Sequence, residues 1–422
     1  MTISSPTAAV LAGLDESRPW QEDLYRHLHE NPELSNQEHG TAKAIVERLR
    51  SFGYEVHDGV GGTGVVGILR NGPGPSVLLR SEIDALPVKE KTGLPYASLV
   101  TATDEEGKEV PVMHACGHDL HVTCLLGAAS LLAATPKHWN GTLVVLFQPA
   151  EELGTGANAM VVDHLSKLVG KVDVAMAQHV LPFPSGQVAT RPGTIFALAD
   201  SMRVTVYGRG SHGSMPQYSV DPVVLAAMIV VRLQGVIARE IAPAQSAVLT
   251  VGSIASGTKS NVIGDHAVLE LNIRSYNEQT RMTILNAIRR IITAECEASG
   301  SPKVPEFEMF GHFPSTTNDI STTERVRTAF NDLFGDGSQD LAVQAASEDF
   351  SAITDAFAAP YTYWGLGAID ADTYHKAEAA GRVAQDIPVN HSALFAPVIQ
   401  PTLDTGTQAL VAAALAWLAL SS

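Results

Sequence analysis

The chain has 422 residues, 45% of them hydrophobic and 17% charged, and a formal net charge of −17. That is apolar side chain enough for a large core, and length for two or three domains at roughly 150 residues each. The acidic balance excludes a nucleic-acid partner, since phosphate contacts need clustered Lys and Arg and no such cluster is present.

The first 20 residues have no basic stretch ahead of an apolar core, so no secretory signal is expected there. Residues 24–52 carry helical periodicity up to Gly53. Strand-like runs follow at 64–69, 77–80, 142–147 and 172–177. Helical patterns lie at 120–134 and between the last two runs. Short buried strands alternating with helices predict an α/β fold with a mostly parallel sheet.

The pattern changes near Ala189. Strands are expected at 202–207, 247–254, 267–274 and 304–310, and helices at 221–240 and 280–298. The order β-α-β-β-α-β is the ferredoxin-like arrangement, a self-contained unit. The division expected is therefore residues 1–188 and 311–422 as one catalytic domain, with 189–310 inserted. The longest apolar stretch, 409–420, is too short for a bilayer at roughly 20 residues, and reads as a docked C-terminal helix. Cys116, Cys124 and Cys296 are a sparse, odd set. They argue against a disulfide framework and for a reducing compartment. A soluble, cytoplasmic protein with no membrane partner is expected.

Residues 114–121 concentrate His114, Cys116, His118, Asp119 and His121 in one octet. Imidazole, thiolate and carboxylate are the donors that Zn²⁺ takes, and no fold requires them at that density. Glu151 and Glu152 follow an apolar strand. Adjacent carboxylates there repel unless a positive charge sits between them. A metal would supply that charge, with one Glu as ligand and the other as general base; a solvated acidic turn is the plain alternative. His179 ends a strand and His391 sits in a loop, and singly each reads as a hydrogen-bonded core or loop histidine. Residues 208–214 form a Gly-rich loop around His212. It lacks the Walker ending, so it reads as a hairpin turn or a close approach to a ligand. Arg274 ends an apolar strand, where it caps the surface or clamps a carboxylate.

Taken in order, several segments match one family. They are Arg26-His27-Leu28-His29-Glu30-Asn31-Pro32-Glu33-Leu34-Ser35, Leu79-Arg80-Ser81-Glu82-Ile83-Asp84-Ala85-Leu86-Pro87, Met113-His114-Ala115-Cys116-Gly117-His118-Asp119 and Gln148-Pro149-Ala150-Glu151-Glu152. Ala177-Gln178-His179, Asn261-Val262-Ile263, Ser347-Glu348-Asp349-Phe350-Ser351 and Asn390-His391 complete the set. The chain resembles the two-metal aminoacylase and carboxypeptidase family, in the amidohydrolase branch of hippurate hydrolases, auxin-conjugate hydrolases and N-acyl-amino-acid aminoacylases. Within the branch it is similar to actinobacterial N-acylglutamine aminoacylases.

The resemblance implies two divalent metal ions per subunit, zinc first and manganese, cobalt or nickel as alternatives. Cys116, His118, Glu152, His179 and His391 would hold them, and Glu151 would be the general base that activates a metal-bound water. His212 would reach from the lid domain of a partner subunit in a homodimer or homotetramer. Asn261 and Arg274 would contact the substrate carboxylate, and Asp84 and Asp119 would support ligands from behind. Three departures stand out: Glu82 replaces the branch's usual Asp, Asn272-Ile273 precedes Arg274 where a Gly-Thr-Val-Arg pattern is typical, and Gly210-Ser211-His212-Gly213-Ser214 differs modestly from the family's Gly-Gly-His-Ala form. The activity implied is metal-dependent hydrolysis of an N-acyl-L-amino acid to a carboxylic acid and a free amino acid. A dipeptidase or carboxypeptidase on the same scaffold is the alternative. A non-catalytic metal scaffold ranks last, because Glu151 is present.

Overall fold

The structure, a computed structural model, describes residues 5–420. The chain forms two compact units. One runs up to Ile195 and takes up again at Thr317–Val343 and from Asp349 onward; the other is Phe196–Thr316 with Gln344–Glu348.

The first unit is built on an eight-stranded sheet. Its four central strands, Gly141–Gln148, Ser76–Glu82, Val174–Pro184 and Tyr361–Ile369, run parallel. Glu55–Val60 and Gly64–Asn71 extend one side in antiparallel register. Parallel strands are covered on both faces, so they read as near-continuous apolar runs, and Tyr361–Ile369 is buried at every position. The helix His118–Ala134 is apolar all round because it is enclosed, packing against the sheet and the helices Leu14–Glu30 and Ile399–Leu418. Register places Glu82 opposite Gln148, and Arg80 opposite Ala177. Residues 82–84 and 148–152 thus gather at the carboxyl ends of parallel strands, where open α/β sheets bind ligands. His179, expected to end its strand, instead lies within Val174–Pro184 opposite Gly365, just past the last pair that this strand makes with Ser76–Glu82.

The helical periodicity at 24–52 belongs to two helices, Leu14–Glu30 and His39–Ser51. Between them Asn31 leaves the helical region (φ −127°, ψ 54°). Pro32 causes this: its ring disfavours helical geometry at the preceding residue, and it offers no N–H. The expected C-terminal helix is Ile399–Leu418, buried along most of its length.

The second unit has a four-stranded antiparallel sheet in the order Ala247–Ser256, His266–Ser275, Leu198–Tyr207, Glu306–Phe313. The helices Pro222–Glu240 and Glu278–Ala298 pack on it and on each other. This is the ferredoxin-like arrangement. Asp221 accepts hydrogen bonds from the N–H groups of Val223 (2.9 Å) and Val224 (3.4 Å), and Pro222 opens the first helix. That helix is long and apolar enough to cross a bilayer by length and composition. Its Leu225, Ile229, Leu233 and Val236 are instead core, meeting Leu269, Leu271 and Ile273 of the sheet. Each such side chain contributes roughly 1.5–3 kcal/mol on burial.

Candidate metal centre

The site in the first unit is shaped by three unusual backbone positions. Gly117 (φ 81°) turns the chain between Cys116 and the first helical residue, His118. A Cβ there would lie 2.5 Å from Val180 Cγ2, so the turn needs glycine for both conformation and space. Ala150 (φ 46°) turns the chain out of its strand just before Glu151, and His391 is left-handed as well (φ 68°). Left-handed backbone at residues with a Cβ costs on the order of 1 kcal/mol or more each and clusters at functional sites. The His391 N–H donates to the Ala115 carbonyl (2.8 Å), tying the two ligand-bearing loops together.

Donor atoms converge in two overlapping sets. Cys116, Glu152 and His391 offer atoms all within 4.8 Å of one another, and so do His118, Glu151 and Glu152. Glu152 belongs to both. Its Oε2 lies 3.3 Å from His391 Nε2, and its Oε1 lies 4.0 Å from His118 Nε2. One carboxylate with an oxygen toward each set suits two neighbouring cations. Cys116 Sγ is 3.4 Å from His179 Nε2, which brings His179 to the same place.

The histidines are oriented from behind. His118 Nδ1–H donates to the carbonyl (2.9 Å) and Oδ1 (3.2 Å) of Asp84, leaving Nε2 bare toward the site. Asp84 Oδ2 accepts from Ser35 Oγ (2.7 Å) and from the Glu152 N–H (3.0 Å), so one buried carboxylate fixes two of the converging residues. His179 Nδ1–H donates to the Val180 carbonyl (2.7 Å), which again turns Nε2 inward. Such outer partners fix both tautomer and ring direction.

The electrostatics ask for a cation. Burial pushes the His118 imidazolium down, but the hydrogen bond to Asp84 and the charges of Glu82, Asp84 and Glu152 outweigh it and raise its pKa to about 10. Burial, then Glu152 and Glu151, push the Cys116 thiol well above its ordinary value. Acidic surroundings are holding protons where a divalent ion would displace them. Two buried atoms, His118 Nε2 and Glu152 Oε1, have no hydrogen-bond partner. An unsatisfied polar atom costs about 1–3 kcal/mol, and both point into the same space. Thiol, imidazole and carboxylate donors with two orphaned atoms fit a pair of divalent cations.

A second cluster, Glu82, His118, His121 and His179, is equally tight, but both Glu82 oxygens and both His121 nitrogens are already hydrogen-bonded within the protein. Glu82 Oε2 accepts from His121 Nδ1–H (2.8 Å); Oε1 accepts from Tyr363 Oη–H (2.9 Å) and from Arg80 Nη1–H. His121 Nε2 accepts the Val180 N–H (2.8 Å). Asp119 turns its carboxylate to His29 Nδ1–H (2.7 Å) and to the Leu120 N–H (2.9 Å). His29 also reaches Glu90 Oε1 through Nε2 (3.1 Å). His114 is buried with neither ring nitrogen hydrogen-bonded, and burial lowers it to about 4. Local sequence gives His29 no role, reads His121 only as one more donor of the octet, and marks Glu82 only as a departure from the branch's usual Asp. The available signal was their spacing: His29 lies one position from the apolar stripe Leu24, Tyr25, Leu28, and His121 is at i+3 from His118 on a helix buried all round.

In the second unit, His212 and Asn261 are neighbours. Ser211–His212 pairs with Val262–Ile263, and the Gly213 N–H donates to the Asn261 carbonyl (2.8 Å). His212 Nδ1 accepts from the Ser214 N–H (3.2 Å) and lies 2.7 Å from Ser214 Oγ. Neutral His212 therefore carries its proton on Nε2, an exposed donor. The Arg274 guanidinium is held by the Ala345 carbonyl (2.7 Å), Ser347 Oγ (3.1 Å) and Asn272 Oδ1 (3.2 Å).

Fold and site together define a metallohydrolase scaffold: a mostly parallel sheet with a buried Cys/His/Glu donor set at its carboxyl edge. The chain belongs to peptidase family M20/M25/M40, whose profile matches residues 78–394. It is 38% identical over 357 residues to thermostable carboxypeptidase 1 of Saccharolobus solfataricus, covering 83% of this chain and 86% of that protein. It is 36% identical over 335 residues to hippurate hydrolase of Campylobacter jejuni, covering 78% and 83%. The crystal structure of the Bacillus subtilis YXEP protein, described as a dinuclear metal binding peptidase of family M20, superposes with a TM-score of 0.75 at 26% identity over 95% of this chain and 98% of that one. These relatives place the chain in the amidohydrolase branch, as a metal-dependent amidohydrolase.

Proposed function

We propose that the enzyme hydrolyses N-acyl-L-amino acids to a carboxylic acid and a free amino acid, with Cys116, His118, Glu152, His179 and His391 holding two divalent ions, zinc by preference. The observation that carries this reading is Glu151: a buried carboxylate beside His118 and Glu152, in the donor set yet outside the subset of Cys116 and His391. When bound, the ions supply Lewis acidity, polarising the amide carbonyl and lowering the pKa of a water toward about 7. Glu151 takes the proton of the attacking water and returns it to the leaving amine nitrogen. His212 Nε2–H donates to the carbonyl oxygen as negative charge develops there. Asn261 and the Arg274 guanidinium hold the substrate's carboxylate.

Residues 1–188 and 311–422 form the catalytic domain on this reading, and 189–310 the lid and dimerisation domain. A cytoplasmic homodimer or homotetramer is proposed, with His212 completing the site of the partner subunit; Asp84 and Asp119 support the ligand shell. Likeness to a carboxypeptidase at 38% identity favours one second reading, a peptidase acting on the same scaffold. A panel of N-acetyl, N-benzoyl and long-chain N-acyl amino acids beside dipeptides, run with Zn²⁺, Mn²⁺ and Co²⁺, separates the two.

Two outcomes test the assignment. Glu151→Gln should keep both metals and lose a factor of roughly 10²–10⁴ in kcat; near wild-type turnover would remove Glu151 as base. Mixing inactive His212→Ala and Glu151→Gln subunits should restore activity through hybrid sites. An active monomer by sedimentation would rule out completion by the partner.

A further inference from the structure

The Val180 N–H is the starting point. The ladder between Ser76–Glu82 and Val174–Pro184 stops at the pair Arg80–Ala177, and beyond it the Val180 N–H is taken by a side chain, His121 Nε2 (2.8 Å). That N–H belongs to the peptide directly after His179, so its direction helps set where the His179 side chain leaves the strand. The next peptide's carbonyl, on Val180, holds His179 Nδ1–H (2.7 Å) and accepts from Asn390 Nδ2 (3.1 Å). His121 accepts at Nε2 only as the tautomer protonated on Nδ1, and Glu82 Oε2 selects that tautomer by accepting from Nδ1–H (2.8 Å). Glu82 is fixed in turn by Tyr363 Oη–H and by the buried Arg80. The rings of His121 and His179 stand edge to face, with centroids 4.6 Å apart.

We propose that Glu82 and His121 are positioning residues: through the Val180 peptide they hold His179 with Nε2 aimed at the metal pair, without ligating an ion themselves. The proposal rests on the reading of His179 as a ligand. It differs from a packing role because it needs an acceptor at one point, the position of His121 Nε2. Glutamine can place its Oε1 near that point; leucine fills similar volume with no acceptor. Loss of an outer partner of a metal-binding histidine typically costs about 10–100-fold in metal affinity.

The test is titration of the metal-free full-length enzyme with Co²⁺. It is followed by calorimetry and by the thiolate-to-cobalt absorption band that Cys116 would give. His121→Leu should weaken the ion that His179 holds by about 10–100-fold and alter the cobalt spectrum, while the other ion binds as before. His121→Gln should recover most of the loss. Unchanged affinity and spectrum in His121→Leu would overturn the proposal, and so would equal weakening of both ions. If His121→Leu does not fold, His121→Gln carries the test: a folded His121→Gln that loses the His179 ion counts against it. Wild-type enzyme that binds two cobalt ions but hydrolyses no acyl amino acid would sink the proposed activity and leave this inference readable.

Discussion

The two candidate regions hold their side chains in opposite ways. In the first unit, Cys116, His118 and Asp84 are buried, and the imidazoles of His118 and His179 are each fixed by a carboxylate or a carbonyl behind them. In the second unit, His212 and Asn261 are exposed, and His212 is oriented only by the nearby Ser214. The first region is preorganised and costly, with two left-handed residues that are not glycine and two orphaned polar atoms. The second is a surface donor, exposed at Nε2. The contrast teaches that metal binding and stability should reside in one region, and transition-state stabilisation without stability in the other.

The largest expected effect would break this contrast directly. His212→Ala should lower kcat by roughly 10²–10³, the usual cost of losing one oxyanion donor, while metal content and thermal midpoint stay at wild-type values. His118→Ala should instead lose bound metal and, with it, the stability that ligand binding adds. Metal analysis and thermal melts on both variants decide the matter: a destabilised His212→Ala, or a fully loaded His118→Ala, would erase the division.

A matched pair of glycines sharpens it. Gly117 and Gly257 are both left-handed, at φ 81° and φ 74°, but a Cβ at Gly117 meets Val180 at 2.5 Å and one at Gly257 meets nothing within 4 Å. Gly257→Ala should cost only backbone strain, about 1 kcal/mol. Gly117→Ala adds overpacking of about 1–3 kcal/mol and should also disturb Cys116 and His118. Urea denaturation with and without metal would show both; equal costs for the two variants would mean that the loop at Gly117 is not held.

The sequence makes the first region legible through its chemistry and the second through its pattern. Imidazole, thiol and carboxylate crowded into one octet mark it as a metal-site candidate, and the family resemblance singles out Cys116 and His118 within it, while Asp119 and His121 turn to structural partners. The apolar runs 77–80 and 142–147 locate the carboxyl edge of the sheet, while the run 172–177 stops short of its strand's end at Pro184. The alternation of strands and helices after Ala189 announces the ferredoxin-like unit. What stays hidden is set by contacts distant in sequence. His121 looks like one more ligand until Glu82 and Val180 are seen to occupy both its nitrogens. His29 looks like a helix-end histidine until residues 90 and 119 close around it. The break at Asn31 was legible from Pro32, but helical periodicity on either side masks it.

His29 provides the most gradual expected effect, a slope in stability with pH. Burial pushes the imidazolium down, but hydrogen bonds to Asp119 and Glu90 and their charges outweigh this and hold its pKa at about 10 against an ordinary 6.5. The folded state therefore keeps a proton that the unfolded chain releases above about pH 6.5. Unfolding then releases up to one proton, and stability falls with rising pH by at most about 1.4 kcal/mol per pH unit. The contribution is complete below about pH 6.5 and fades as pH climbs through about 10. His29→Gln removes the proton and leaves Asp119 and Glu90 without a cation between them. The variant should be less stable at neutral pH, and the gap to wild type should narrow steadily toward pH 10. A gap constant from pH 6 to pH 10 in urea denaturation would mean that His29 is neutral in the fold, and that Asp119 is held by a hydrogen bond alone.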